Sequence, residues 1–176
     1  VFFITGWDSN VILTDSYLLR DLKIEQLNHY YYSVYPNNIF LTYIFATIMK
    51  LEKFLGIVEY SHTIFGLVVV QSVLCTITAY LLFHIIYHFK KSFMAAWFGF
   101  GMYVVLIFFS GWTGIVYSDS MGLIFPTSMI WLYQNRNTMH KFIVWPSIAL
   151  LGYWGYRIKP QIFIMFIAIV MISLIN

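Results

Sequence analysis

The sequence predicts an all-α fold: a polytopic transmembrane helical bundle with a large extracytoplasmic first loop containing juxtamembrane helices. Three observations carry this. Of 176 residues, 61% are hydrophobic and only 10% are charged, with a mean hydropathy of +0.78, whereas an average globular domain carries about 25% charged residues. Residues 63–83 and 93–112 are apolar runs of about the 20 residues that a spanning helix needs. The seven carboxylates (Asp8, Asp15, Asp21, Glu25, Glu52, Glu59 and Asp119) can all be placed on one face of a membrane.

Residues 1–5 read as the end of a transmembrane helix, and 6–61 as an extracytoplasmic loop with a juxtamembrane helix over 37–55. Within that helix the apolar run 39–49 is too short to cross the hydrocarbon and suits an interfacial segment. About five transmembrane helices follow in 62–176. They cover 62–89, 93–112, 122–133, 142–156 and 162–175. Lys90, Lys91, Arg136 and Lys141 fall in two alternate connections that hold no acid, so the positive-inside bias makes those connections cytoplasmic. A competing topology makes 39–55 a true span and inverts everything after it.

Other classes are excluded or unsupported. The net charge of +3 comes from basic residues that form no run or stripe, so nucleic acid is not an expected partner. A single cysteine, Cys75, allows no internal disulfide. The chain opens on Val1 and both ends lie in apolar sequence, which reads as part of a longer multi-pass protein. His84 and His88 have metal-ligand spacing but no third ligand nearby. Gly99 with Gly101, and Gly152 with Gly155, suit close helix packing.

The chemistry-bearing candidates all fall on the non-cytoplasmic face. Asp8, in Gly6-Trp7-Asp8-Ser9-Asn10, stands where the first helix should emerge. A carboxylate there can act as a general base or hold a divalent cation, or it is a solvated helix end anchored by Trp7. Tyr30-Tyr31-Tyr32-Ser33-Val34-Tyr35-Pro36-Asn37-Asn38 reads as an aromatic belt, yet the amides of Asn37 and Asn38 need partners at a membrane surface. Asp119, in Tyr117-Ser118-Asp119-Ser120, faces the same compartment as Asp8 and could frame one polar site with it. Arg157 and Lys159, in Gly155-Tyr156-Arg157-Ile158-Lys159-Pro160-Gln161, are either snorkelling cations or partners for an anionic lipid phosphate.

In order and sidedness these pieces resemble the N-terminal part of a GT-C-type membrane glycosyltransferase. The nearest likeness is to the protein O-mannosyltransferase and aminoarabinose transferase group. Gly6-Trp7-Asp8 resembles its loop acid, and Tyr35-Pro36-Asn37-Asn38-Ile39-Phe40-Leu41 its proline motif, with Tyr35 where active relatives often carry lysine. Tyr117-Ser118-Asp119-Ser120 resembles its second loop acid, and Arg157-Ile158-Lys159-Pro160 its lysine motif. The resemblance implies an inverting transfer of a sugar from a polyprenyl-phosphate donor to an acceptor hydroxyl on the extracytoplasmic face of a bacterial plasma membrane. It implies Asp8 as the base, Asp119 on the donor sugar or a divalent cation, and Lys159 with Arg157 on the phosphate, with Tyr35, Asn37 and Asn38 lining the substrate site. An Asp8 near Lys159 would stay ionised.

Two other functions remain open at this point. A multi-pass transporter or flippase-like protein for an anionic lipid would use the same cations without a catalytic acid. It should also show polar residues along a mid-membrane path, where the spans offer little beyond Gln71, Thr76 and Thr78. A structural membrane subunit would need none of the charges.

Overall fold

A computed structural model describes residues 8–109 and 112–175. The expected helix end at 1–5, with Gly6 and Trp7, lies outside the described residues. Among those described, the fold is all-helical. Its elements are α1 Asp8–Arg20, α2 His29–Val34, α3 Asn38–Phe54, α4 Tyr60–Lys90, α5 Phe93–Phe108, α6 Ser118–Gly122, α7 Ile124–Gln134, α8 Lys141–Ile158 and α9 Ile162–Ile175.

The first of these lies in the stretch 6–61 that the sequence reading gives to the extracytoplasmic loop. α1 buries Ser9, Ile12, Leu13, Ser16, Leu19 and Arg20, a three-and-four spacing that puts them on one stripe. Asp8 in its first turn and Arg20 in its last complement the helix dipole. The helix stops where Leu22 adopts φ +59, with Lys23 N donating to Leu18 O and Leu22 N to Leu19 O. That paired closure is the Schellman motif. α3 ends the same way at Gly56, φ +86, with Ile57 N donating to Glu52 O. At 17 residues α3 is longer than its apolar stretch suggested, because Lys50, Glu52 and Lys53 continue the helix.

α1 and α3 run side by side in the same direction. Ser16 Oγ donates to Thr42 O at 3.1 Å, and Lys53 Nζ meets Asp21 at 2.8 Å at the far end. Asp15 is buried and accepts from Asn28 N, which ties α1 to the return segment. Arg20 is buried too, donating to both Asp21 and Val58 O. Tyr31 and Tyr32 turn inward, against the belt expectation. The Tyr32 hydroxyl lies 2.9 Å from Thr42 Oγ1.

α4 is the axis. Its 31 residues extend about 46 Å at 1.5 Å per residue. Among the described residues it is the one helix long and apolar enough to cross a membrane, while α5 and α9 are shorter apolar helices. α5 returns along it through the two-residue connection Lys91-Ser92, where Lys91 takes φ +50 and Ser92 Oγ caps Ala95 N. Gly99 of α5 sits against Ile86, but Gly101 faces open space, so only one of that pair serves packing. α7 runs parallel to α4: the preceding segment meets Cys75 at Ser120 O, and Gln134 Nε2 reaches Ile85 O. α8 and α9 alternate after it. A Cβ on Gly152 would lie 2.8 Å from Phe166 Cδ2, and one on Gly155 would lie 3.2 Å from Phe125 Cβ. Those two glycines therefore set the approach of α8 to α9 and α7.

α3 meets α4 through its C-terminal part, at Gly66, and α8 through its N-terminal part, where Phe40 stacks on Trp154 at 5.1 Å. It therefore lies across the ends of the bundle. Two cores result. One joins α1, α3 and α4 around Ile12, Leu41, Phe45 and Leu67, and the other joins α7, α8 and α9 around Met129, Val144 and Ile148.

Glu52 is a strained point in this packing. It is 8% exposed, its Oε2 has no hydrogen-bond partner, and its Oε1 fills the notch left by the missing side chain of Gly66. Burial raises its carboxyl above the usual glutamate value, against a smaller lowering by Arg20. A raised folded-state pKa favours the folded form while the acid is protonated, and that contribution is lost as pH rises through the folded value. We predict that wild-type stability falls between the ordinary carboxylate range and neutral pH relative to Glu52→Gln. Thermal unfolding against pH checks this, and parallel curves for the two proteins would refute it.

Candidate active site

Four segments separated in sequence meet at the end of the bundle where α1 and α3 begin. Asp8 opens α1. Tyr117 precedes α6, with an extended backbone at φ −158 and ψ 169, and its phenol donates to Asp8 Oδ2 at 3.2 Å. Two residues on, Asp119 in the first turn of α6 pairs with Lys159, the residue that caps α8. Arg157, on the last turn of α8, lies over the Phe40 ring of α3 with its guanidinium carbon 5.1 Å from the centroid. α3 closes the circuit: Asn38 Nδ2 donates to the Tyr31 hydroxyl at 2.6 Å, and its side chain also reaches Tyr117.

The placement of each predicted residue differs in detail. Asp8 and Asp119 belong to one connected cluster, linked through Tyr117. Lys159 contacts Asp119 rather than Asp8, so the expectation that Lys159 keeps Asp8 ionised is corrected: the group hydrogen-bonded to Asp8 is the Tyr117 phenol. Asn38 is 2% exposed and satisfied by Tyr31 and Asn37, whose Nδ2 donates to Asn38 Oδ1 at 3.0 Å. Its amide thus organises the site from inside. Asn37 faces a groove of about 520 Å³ shared with Pro36, Phe40, Tyr156, Arg157 and Pro160. Tyr35 stands outside the cluster, exposed on the rim with its ring tilted against Tyr31 at 5.2 Å.

Burial is the main electrostatic influence. It pushes the Tyr31 and Tyr117 phenols up, with the Asp8 charge adding to both, so each hydroxyl stays a donor at neutral pH. It pushes the Lys159 ammonium down. Tyr117 occupies one oxygen of Asp8 and Lys159 engages Asp119, and among the described residues no group of three His, Cys, Asp or Glu side chains could hold a metal ion.

Phe40 also lines an apolar groove of about 450 Å³ between α3, α7 and α8, walled by Tyr43, Ile44, Ile48, Phe125, Trp154 and Ile158. On the other side Asp119 and Ser120 face a third opening with Ile107 and Leu123. Arg157 lines the first of these grooves, and Phe40 is common to the first and the second. Tyr31 and Tyr117 were the side chains missed in sequence reasoning. Tyr117 sat in a noted motif, and the inward turn of Tyr31 is a matter of helix phase.

Asp119 competes with any anion for Lys159. Asp119→Asn is therefore expected to tighten binding of a simple probe, dodecyl phosphate, roughly 1.4- to fivefold, the equivalent of the 0.2–1 kcal/mol of a part-exposed pair. Because burial lowers the Lys159 pKa, affinity should decline with rising pH before the usual lysine value of 10.5 is reached. Isothermal titration across alkaline pH checks both, and weaker binding by Asp119→Asn would contradict the competition.

No protein-family model, no curated protein and no solved structure matches this chain.

Proposed function

We propose that the protein is a multi-pass membrane glycosyltransferase of GT-C type, moving a sugar from a polyprenyl-phosphate donor to an acceptor hydroxyl on the extracytoplasmic face. One observation carries the reading: two carboxylates and two cations from three segments gather at one end of the bundle, beside an apolar trench.

Several features support the membrane part. From Gln71, level with the site, α4 continues to Lys90 over about 28 Å at 1.5 Å per residue, close to the roughly 30 Å hydrocarbon thickness of a bilayer. Phe65, Val69, Val73 and Ile77 of α4, Phe98, Met102, Val105 and Leu106 of α5, and Ile164, Ile167 and Met171 of α9 face outward and exposed. Contiguous apolar surface of that extent needs a cover. The basic residues Lys90, Lys91, Arg136 and Lys141 lie at the end opposite the site, where the positive-inside bias puts them in the cytoplasm.

In the proposed reaction the acceptor oxygen attacks the anomeric carbon while Asp8 takes its proton. The bond from that carbon to the phosphate oxygen breaks, and the polyprenyl phosphate leaves with the electron pair. Tyr117 occupies Oδ2 of Asp8, so the hydroxyl is met by the other oxygen. Phosphate entry draws Lys159 away from Asp119. Lys159 and Arg157 then meet the developing charge, and Asp119 is released to accept from donor-sugar hydroxyls. Asn37 lines the entrance. The trench takes the isoprenoid tail.

The transporter reading gains no support from the interior. Thr76 and Thr78 bond back to Ser72 O and Leu74 O of their own helix, and Gln71 bonds to a loop.

Asp8→Asn is expected to reduce transfer by about 10²–10⁴-fold while leaving donor binding intact. Lys159→Ala should weaken binding and also cost about 10²–10³-fold in turnover. Turnover of a radiolabelled lipid-linked sugar by the full-length protein measures both; wild-type rates in Asp8→Asn would exclude the base. Sidedness is tested with single cysteines at the exposed positions Lys23, Asn37, Gln161 and Asn137 in a Cys75→Ser background. An impermeant thiol reagent should label the first three from outside and not the fourth.

A further inference from the structure

We infer that Gln71, wholly buried in the middle of the long helix α4, is a positioning residue that sets the Tyr117–Asp8 hydrogen bond. The functional half of this inference rests on the transferase reading; the geometric half does not.

Gln71 is 0% exposed. A carboxamide offers one acceptor oxygen and two donor hydrogens, and Gln71 uses both kinds on a single segment. Its Nε2 donates to Thr113 O and Ile115 O, each at 3.0 Å, and its Oε1 accepts from Tyr117 N at 3.2 Å. One turn along the same face, Cys75 Sγ contacts Ser120 O at 3.7 Å. Residues four apart on a helix lie one above the other, so α4 holds the later part of the α5–α6 connection at Gln71 and the first turn of α6 at Cys75.

That connection brings Tyr117 to Asp8 and Asp119 to Lys159. Through residues 113–117 it is neither helix nor strand beyond one short 3-10 turn, Trp112–Gly114, so its backbone groups lack a regular ladder. The Gln71 amide takes that role. With its backbone nitrogen fixed and its chain extended, Tyr117 has two side-chain torsions left to aim its phenol, and the hydrogen bond to Asp8 Oδ2 follows. A displacement of about 1 Å in such a chain can cost on the order of 10²-fold in rate.

The alternative is an amide that merely holds the loop together. The two are separated by labelling position 117 with 3-fluorotyrosine in the full-length protein and reading its ¹⁹F resonance. In the parent, Asp8→Asn should shift the resonance by removing the charged acceptor. In Gln71→Leu the resonance should already be displaced, and adding Asp8→Asn should move it no further. In the transfer assay Gln71→Leu should lose at least about tenfold in kcat with the donor KM unchanged. The Gln71→Leu/Tyr117→Phe double variant should be no slower than the slower single variant. Should Gln71→Leu not fold, Gln71→Met, which keeps the length of the side chain, is read in the same way; loss of folding in both would overturn the inference in favour of a structural amide. A resonance that still responds to Asp8→Asn without Gln71 would overturn it too. If even the wild type transfers no sugar, the transferase reading fails, and the ¹⁹F comparison still decides the positioning.

Discussion

Buried polar groups must be partnered, because an unmade hydrogen bond in the interior costs about 1–3 kcal/mol. In a chain this apolar the requirement determines where the irregular segments lie. Gln71 has no solvent contact, so the 113–117 connection folds onto it. Asp15 draws in Asn28, Asn38 draws in Tyr31, and Arg20 holds Val58 O. Each of these contacts joins a helix to another segment, from seven positions away for Asn38 and Tyr31 to more than forty for Gln71, and together they carry the site.

The packing that surrounds these contacts depends on α3 lying across the bundle. Its C-terminal part is anchored by Glu52 in the Gly66 notch, and its N-terminal part rests on Trp154 and beside Arg157. A helix running parallel to α4 would have closed the space between α3, α7 and α8. Crossing leaves it open as an apolar trench that shares Phe40 with the groove lined by Arg157. The small residues Gly152 and Gly155 let α9 approach α8 closely, which turns the chain back just after Lys159.

The resting site is electrostatically self-satisfied. Lys159 is neutralised by Asp119, and the raised phenol of Tyr117 donates to Asp8. Under the proposed function such a site would respond to an anion able to displace Asp119, and the trench would add the selectivity that charge alone lacks, since an anion without an apolar tail gains nothing from it. Under the proposed reaction the same exchange frees Asp119 when the donor is seated.

The helical class, the approximate bounds of α3, α4, α5, α8 and α9, and the separation of acids from the Lys90, Lys91, Arg136 and Lys141 connections were legible in the sequence. Apolar run length and charge are local quantities, and they survive folding. The candidate residues Asp8, Asp119, Arg157 and Lys159 were legible as charges that an apolar chain would not carry idly. The helix Asp8–Arg20 was less so, because its buried face includes Asp15, Ser16 and Arg20 and looks polar until their partners are known. Tertiary structure alone decided the pairings: Lys159 with Asp119 instead of Asp8, Tyr117 on Asp8, Tyr31 inward and Tyr35 outward, and Gln71 as the anchor of a loop more than forty positions away. Such pairings depend on the angle at which α3 crosses the bundle and on the direction of each side chain, which many residues set jointly through packing and no single stretch of sequence encodes.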